Sequence, residues 1–385
     1  MDTPFPYDKY VTGKNFIGRK GSCTLLGNLI SQGEHVWISA PPKTGKTSLI
    51  QQTLFGMRMS GKAFSVGQFS VLNIRTPQEF LLRMGSTAIR MVASTPEEYA
   101  RVARQYLEGT HFVFDRVAFS ERDEILSANW DLDENDVLAL LRLPFRLAAD
   151  SGQQLILILD EFQNVSLFDD PDLILRPLQT VLREEAAAPT RHFVFLFTGS
   201  RVNAMNAIFQ QGILFRRLVE RVTLETVDER EIADHVVKGF LSGGKVIDKD
   251  LLVGACKLFQ NHLWYINHFA AICDSMSKGY IMEPVLVDAL GTLLAIHEPR
   301  FQAIVDGLTT FQVNLLQAVV EGEYRFSAAD SIRRYGLNSS ANVKRVKDAL
   351  MKKEVLIFDE KEHPAFIDPL FEYWIRKYYF EIKDA

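Results

Sequence analysis

Gln154 to Val165 reads QLILILDEFQNV, and its first half leaves the chain few folds to choose from. Leu155 to Leu159 are five consecutive aliphatic residues with no polar alternation. A half-exposed strand alternates, whereas an unbroken aliphatic run is buried on both faces, as in a parallel sheet covered by helices. The run closes on Asp160-Glu161. A carboxylate at the carboxyl end of a central strand sits where ligands bind in open α/β sheets. There Asp160 would hold Mg²⁺ through water, and Glu161 would polarise an attacking water as general base. Two acids that merely turn a strand out to solvent give the same pattern, so the choice rests on what else the chain carries.

About a hundred residues upstream, His35 to Thr53 reads HVWISAPPKTGKTSLIQQT. A short apolar strand (Val36 to Ser39) leads through a Pro/Gly-rich loop into the start of a helix, the context that a phosphate loop requires. Pro42, Lys43, Thr44 and Gly45 would form the loop, and Lys46, Thr47 and Ser48 open the helix. Backbone N–H groups and the positive helix end would capture phosphate oxygens. Lys46 would neutralise the β- and γ-phosphates, and the Thr47 hydroxyl would ligate Mg²⁺. Gly-Lys-Thr arises often by chance, and the usual first glycine of the loop is Ala40 here. The acidic strand end makes the pair of motifs far more specific than either alone. The expected ligands are a nucleoside triphosphate and Mg²⁺.

A third apolar strand, Phe193 to Phe197, runs into Thr198-Gly199-Ser200. Beside the Asp160 strand, Ser200 would hydrogen-bond the γ-phosphate or the lytic water; the competing reading has Thr198 and Ser200 capping the next helix. Arg216, Arg217 and Arg221 precede an expected last strand, Val222 to Leu224. One of them, Arg217 foremost, would reach a γ-phosphate in a neighbouring subunit of a homo-oligomer, or else the cluster is a solvated basic turn.

Other stretches set expectations for local structure. Leu25, Leu26, Leu29 and Ile30 mark one helix face after Phe16-Ile17-Gly18-Arg19, and Phe69 to Ile74 reads as a second strand. Thr76-Pro77-Gln78-Glu79 has the form of a helix start. Residues 80–130 read as mostly helical, with His111 packed among Phe112, Val113 and Phe114. Asp131 to Asp136 begins like a calcium loop but lacks its sixth-position glycine and has Arg142 where the bidentate Glu belongs. These acids are expected to cap a helix instead.

From Asp228 to about Ile304 the pattern is of consecutive amphipathic helices without strands, a helical lid. His262 and His268 are six apart, which does not place them on one helix face to share a metal. Beyond Leu308, helices at Thr310–Val320, Ser327–Tyr335 and Ser340–Lys353 precede strands at Val355–Phe358 and Ala365–Ile367, the order of a winged helix. Residues 308–353 hold eight Lys/Arg against four Asp/Glu, with Lys344, Arg345 and Lys347 on the third helix. That helix would enter a major groove of double-stranded DNA, although charge on a helix is usually just solvated surface. Asp359, Glu360 and Glu362 on the wing argue against a phosphate backbone there.

The full sequence of 385 residues, 47% hydrophobic and 24% charged with net charge −5, is that of an ordinary globular protein of two or three domains and not of a polyanion binder throughout. Cys23, Cys256 and Cys273 form no metal or disulfide pattern. With no apolar run long enough for a membrane span, the expected location is the cytoplasm.

Taken together, these residues resemble the archaeal-type ATPases of the AAA+/STAND assemblage, related to origin-recognition ATPases. The resemblance rests on Phe16-Ile17-Gly18-Arg19, Ala-Pro-Pro-Lys-Thr-Gly-Lys-Thr, the Leu141 to Ala148 run, Leu-Asp-Glu-Phe-Gln, Phe-Thr-Gly-Ser, Asn261-His262-Leu263-Trp264-Tyr265, and Asp368-Pro369-Leu370-Phe371 followed by Trp374. It implies an α/β P-loop parallel sheet (1–226), a helical lid (227–304) and a winged-helix domain (305–385). It also implies that Ile17, Gly18 and Arg19 pack against adenine. Leu263 stands where relatives have a lid proline. The function implied is an Mg²⁺-dependent ATPase switch that couples ATP or ADP to lid and winged-helix position. The alternative is an ATP-regulated scaffold or DNA-binding protein with little turnover, its winged helix meeting a protein client or DNA.

Overall fold

The computed structural model describes residues 4–128, 130–188 and 191–382. Two compact units divide the chain: Lys20–Ala40 with Gln52–Leu224, and Met1–Arg19 with Pro41–Gln51 and Glu225–Ala385.

The first unit is built on a sheet. In chain order its elements are α1 (Lys20–Ser31), β1 (Val36–Ser39), α2 (Lys46–Met59, shared with the other unit), β2 (Phe64–Ser70), α3 (Pro77–Arg90), α4 (Pro96–Tyr106), β3 (Phe112–Phe114), α5 (Arg116–Arg122), β4 (Leu126–Ala128), α6 (Glu134–Ser151), β5 (Gln154–Asp160), α7 (Asp172–Glu185), β6 (Phe193–Gly199), α8 (Val202–Asn206) and β7 (Glu220–Arg221). The sheet order is β2-β5-β6-β1-β7, all parallel. Leu155 to Leu159 and the whole of β6 are buried, as unbroken apolar strands require. Phe193, Phe195 and Phe197 on β6 stack with one another and with Phe145 of α6 and Phe162.

Local signals hold where they are chemically specific. Thr76 accepts from the Glu79 N–H at 3.2 Å, with Pro77 opening α3. Asp133 and Asp136 form a reciprocal capping box at the start of α6, as expected of acids there. Asp136 is fully buried and also accepts from the His111 backbone N–H and meets its Nδ1, both at 2.8 Å. His111, Asp133 and Asp136 stand close enough to share a cation, but their polar atoms already serve this cap.

Several expectations need correction. The second strand is Phe64–Ser70, so most of Phe69 to Ile74 lies in the loop to α3. Leu25 is exposed, and α1 buries Ser22, Leu26 and Ile30 instead. Residues 80–130 include an antiparallel pair, β3 with β4, between the helices. The last sheet strand is Glu220–Arg221, so Arg221 lies in it; Val222 N–H continues the ladder to the Trp37 carbonyl at 3.1 Å.

The second unit contains α9 (Glu229–Ser242), β8 (Val246–Ile247), α10 (Leu251–Leu258), α11 (Leu263–Met276), β9 (Tyr280–Ile281), α12 (Glu283–Asp306), α13 (Thr310–Val320), α14 (Ala329–Arg334), α15 (Ser340–Lys352), β10 (Leu356–Phe358), β11 (Pro364–Phe366) and α16 (Pro369–Trp374). The lid is not wholly helical, because β8 and β9 pair in parallel. The three helices and antiparallel β10–β11 wing follow the expected order, and Thr309 and Gln312 close a capping box on α13. One apolar core runs from Phe5 through the lid helices to Ile375.

Candidate functional site

In the sheet unit, β5 and β6 end side by side in a polar cluster. The Thr198 hydroxyl donates to Asp160 Oδ1. Glu161 follows in a left-handed conformation (φ 54), and its Oε2 accepts from Ser200 Oγ at 2.6 Å, Ser200 N–H at 3.2 Å and Gln163 Nε2 at 2.5 Å. Left-handed backbone at a non-glycine residue costs of order 1 kcal/mol and persists where its surroundings over-determine it, as three donors on one carboxylate do. Gly199 permits the close approach: a Cβ there would lie 2.3 Å from Gln163 Oε1 and 2.4 Å from Met205. The capping alternative for Thr198 and Ser200 does not hold, since α8 starts after Arg201 with no side-chain cap. Strand order sets β6, with Ser200, between β5 and the β1 strand that leads into Ala40. Ser39 Oγ and Gln163 Oε1 are buried there without hydrogen-bond partners, and oxygen donors of this kind suit phosphate water and a hard cation.

In the other unit, the Gly-Lys-Thr loop is held in a defined shape. Lys43 (φ 66) and Gly45 (φ 97) are left-handed; Ala40 is not, which is why alanine serves at the first position. Thr44 Oγ1 and Lys46 Nζ both donate to the Pro41 carbonyl, at 2.7 and 3.1 Å. Leu49 N–H donates to the Gly45 carbonyl at 2.9 Å, the first turn of α2. Arg19 clamps the loop, donating to the Thr44 carbonyl at 2.7 Å and to the Glu225 carbonyl at 3.0 Å.

Beside this loop lies a narrow cavity lined by Tyr7, Ile17, Arg19, Lys43, Ser48 and Trp264, among others. Its far wall is tied together by chain-distant bonds. Trp264 Nε1–H donates to the Tyr7 carbonyl at 2.7 Å, and Val11 N–H donates to Ser48 Oγ at 3.1 Å. The Tyr7 ring stacks on His268 at 4.2 Å. Ile17 and Arg19 thus border a cavity next to the loop, but the guanidinium of Arg19 is engaged by main-chain carbonyls. Gly18 (φ 62) packs on Val227, where a Cβ would come within 2.9 Å, and does not line the cavity.

Arg217 lies elsewhere. It is exposed, left-handed (φ 63), and borders a cavity of about 550 Å³ with Gly33, Glu34 and His192, at the amino ends of the strands. The sheet therefore does not bring Arg217 to Glu161 and Ser200 of the same chain. On α15, Lys344 and Arg345 are exposed, but Lys347 bonds to the wing carboxylate of Glu362 and lies 4.3 Å above the Phe358 ring. Sequence reading missed Gln163 and the Asp160–Thr198 bond; the one signal was that Gln163 follows Glu161 by two residues. Trp264 stands in a stretch on which the resemblance rests, but nothing local announced Tyr7, which it meets only through the fold.

A parallel sheet covered by helices and followed by a winged helix is the fold of P-loop ATPases that the motif resemblance implied. A family model described as a probable winged helix domain matches residues 299–377. No curated protein matches the sequence. Among solved structures, a Walker-type ATPase of Pyrococcus abyssi is similar at 13% identity, covering 97% of this chain and 100% of its own, with a TM-score of 0.68. The ORC2 protein of Aeropyrum pernix in its ADPNP–ADP complexes is similar at 14% identity, 94% and 93% coverage and a TM-score of 0.56. At such identities the likeness is one of fold. Among the described residues, no helix is long and apolar enough to cross a membrane.

Proposed function

We propose that this chain is an Mg²⁺-dependent ATPase in which nucleotide state is coupled to the lid and winged helix. The carrying observation is the strand-end cluster, with Asp160 held by Thr198 and Glu161 by Ser200 and Gln163, in a chain whose β1 leads into Gly-Lys-Thr. Pro42 to Gly45, with Ser48, shape the phosphate cradle, and Lys46 exchanges its Pro41 carbonyl for β- and γ-phosphate oxygens. Thr47 and Asp160 would be the residues to hold the cation, which would supply charge neutralisation at the phosphoryl oxygens. Glu161 takes the proton of the attacking water, aimed by Ser200. Ile17 sets the wall of the base side, Gly18 backs it against Val227, and Arg19 fixes the loop. Arg217, at the opposite strand ends, serves as a finger only across a homo-oligomer.

Engagement of Glu161 by three donors favours a second reading, a nucleotide-holding scaffold with little turnover. Phosphate release assayed with and without Mg²⁺, and with and without duplex DNA, decides between them beside Glu161→Gln. The ATPase reading expects turnover that this substitution abolishes while ATP binding persists. A wild type that retains nucleotide without turnover sustains the scaffold instead.

A further inference from the structure

The cavity of about 550 Å³ at the amino ends of β6, β1 and β7 lies wholly within the sheet unit. Apart from Arg217, none of its groups has a part in the ATPase reading. Its apolar lining is Leu182 with Phe145 and Phe193, whose rings meet edge to face at 4.7 Å. The His35 ring also lines it, 5.7 Å from Phe145 and 6.3 Å from Phe193, and is only 8% exposed. Its Nδ1 accepts from the Phe195 N–H at 3.0 Å, so the ring hydrogen belongs on Nε2. That N–H meets no acceptor among the described residues, and a donor so enclosed calls for one.

Two charged side chains of the lining also lack an ion-pair partner among the described residues, one to either side of His35. On the β6 side, Glu185 is half-buried at the end of α7, and its neighbour Glu184 has taken Arg142 at 2.8 Å. Arg191 Nη2 donates to the next carbonyl, that of Ala186, at 2.8 Å, which ties this helix end to the segment entering β6. Burial, and then the Glu184 charge, raise the pKa of Glu185, the response of a carboxylate without a cation. The negative end of α7 adds to the demand for positive charge. On the β7 side stands the exposed Arg217 guanidinium. Of the other carboxylates, Glu34 is neutralised by Arg191 at 2.7 Å, and Glu220 is exposed at the start of β7. Because β1 runs between β6 and β7, the two charges stand about two strand spacings apart, about 10 Å, with His35 between them.

We infer that this cavity is a binding site for a free dipeptide with apolar side chains, its ammonium on Glu185, its carboxylate on Arg217 and its peptide carbonyl on His35 Nε2–H. Two extended residues span about 7 Å, and charge-assisted contacts of about 2.8 Å at either end cover the remaining distance. A single amino acid carries both charges on one carbon and falls short. The volume lies within the range of ligand pockets and leaves room for two side chains against Phe145 and Phe193. The inference stands apart from the ATPase reading: it requires no nucleotide, and it gives Arg217 a partner within its own chain.

A ligand-observed NMR titration of the full chain with leucyl-phenylalanine tests this, beside the N-acetylated and C-amidated forms of the same peptide. Each capped peptide should bind at least about tenfold more weakly than the free one. Glu185→Gln should weaken the free peptide by a similar factor and erase the penalty of N-acetylation, and Arg217→Gln should erase that of amidation. Both side chains reach solvent, so the variants should keep the far-ultraviolet circular dichroism of the wild type. No binding of leucyl-phenylalanine up to about 10 mM overturns the inference. Capped peptides that bind as tightly as the free one overturn it too, as does a Glu185→Gln variant that still discriminates against the acetyl group. Phenylalanine alone binding as tightly as the dipeptide removes the two-residue length on which it rests and overturns it as well. The titration contains no nucleotide, so its failure leaves the ATPase reading standing.

Discussion

The Ser200 hydroxyl donates to Glu161 Oε2 at 2.6 Å, joining the ends of two adjacent strands through the carboxylate proposed as the base. Because Glu161 is held in a left-handed conformation, its aim depends on this bond and on Gln163. Ser200→Ala should lower kcat by about 10- to 100-fold through misalignment, with little change in the Kd for ATP. Steady-state phosphate release and a nucleotide titration check the split.

Gly45 is the loop position at which a side chain is least tolerable. Its φ is 97°, and a Cβ would stand 2.7 Å from Arg19 Nη1. Gly45→Ala should therefore distort the loop and dislodge Arg19 from the Thr44 carbonyl, at a cost above about 1 kcal/mol. The expected outcome is at least tenfold weaker ATP binding with the far-ultraviolet circular dichroism unchanged, read by a fluorescent nucleotide titration.

His35 predicts how the sheet responds to acid. It is buried ahead of β1, its Nδ1 accepts from the Phe195 N–H at 3.0 Å, and burial, with Arg191 adding to it, lowers its pKa from 6.5 to about 3. Below pH 6.5 the unfolded chain takes up a proton that the folded chain refuses, so stability falls as pH drops through this window, approaching about 1.4 kcal/mol per unit from this group alone. Denaturant midpoints between pH 7 and pH 4 should fall, and a His35→Gln variant should show a shallower dependence.

On the winged helix, Lys347 is bound to Glu362 and shelters Phe358, so its removal should loosen the wing rather than cost a phosphate contact. Lys344 and Arg345 are the exposed pair. If duplex DNA is the partner, Lys344→Ala with Arg345→Ala should reduce the salt slope of binding by about 2, measured by anisotropy between 50 and 200 mM salt. Lys347→Ala should leave that slope unchanged and lower Tm.

What the sequence disclosed follows from burial. β5 and β6 are enclosed on both faces, so their apolar runs are uninterrupted and their ends could be placed to within a residue or two. β2 is largely half-exposed, and its run FSVGQFS carries no such signal, so its position was displaced. β8 and β9 are two residues each, too short for any periodicity, and their pairing is fixed by the helices around them. Lys46 and Asp160 stood out as candidates because phosphate and magnesium chemistry prescribes residue types at fixed places, whereas their partners, the Pro41 carbonyl and Thr198, come from the fold. Arg19 was legible as a position but not as a contact: its carbonyl partners, Thr44 and Glu225, are 25 and 206 residues away. The same holds for Tyr7, whose partner Trp264 is 257 residues on.

Phe5 is fully buried in the core of the lid unit, 4.6 Å from Phe240, and Gly239 makes room for it, since a Cβ there would come within 2.3 Å of its ring. Trimming the chain past this residue would leave a void costing about 3–5 kcal/mol and would take the Tyr7 carbonyl away from Trp264. A shortened protein, or a fusion whose bulk keeps this phenyl ring from seating, would therefore report on a loosened helical unit and not on the native one.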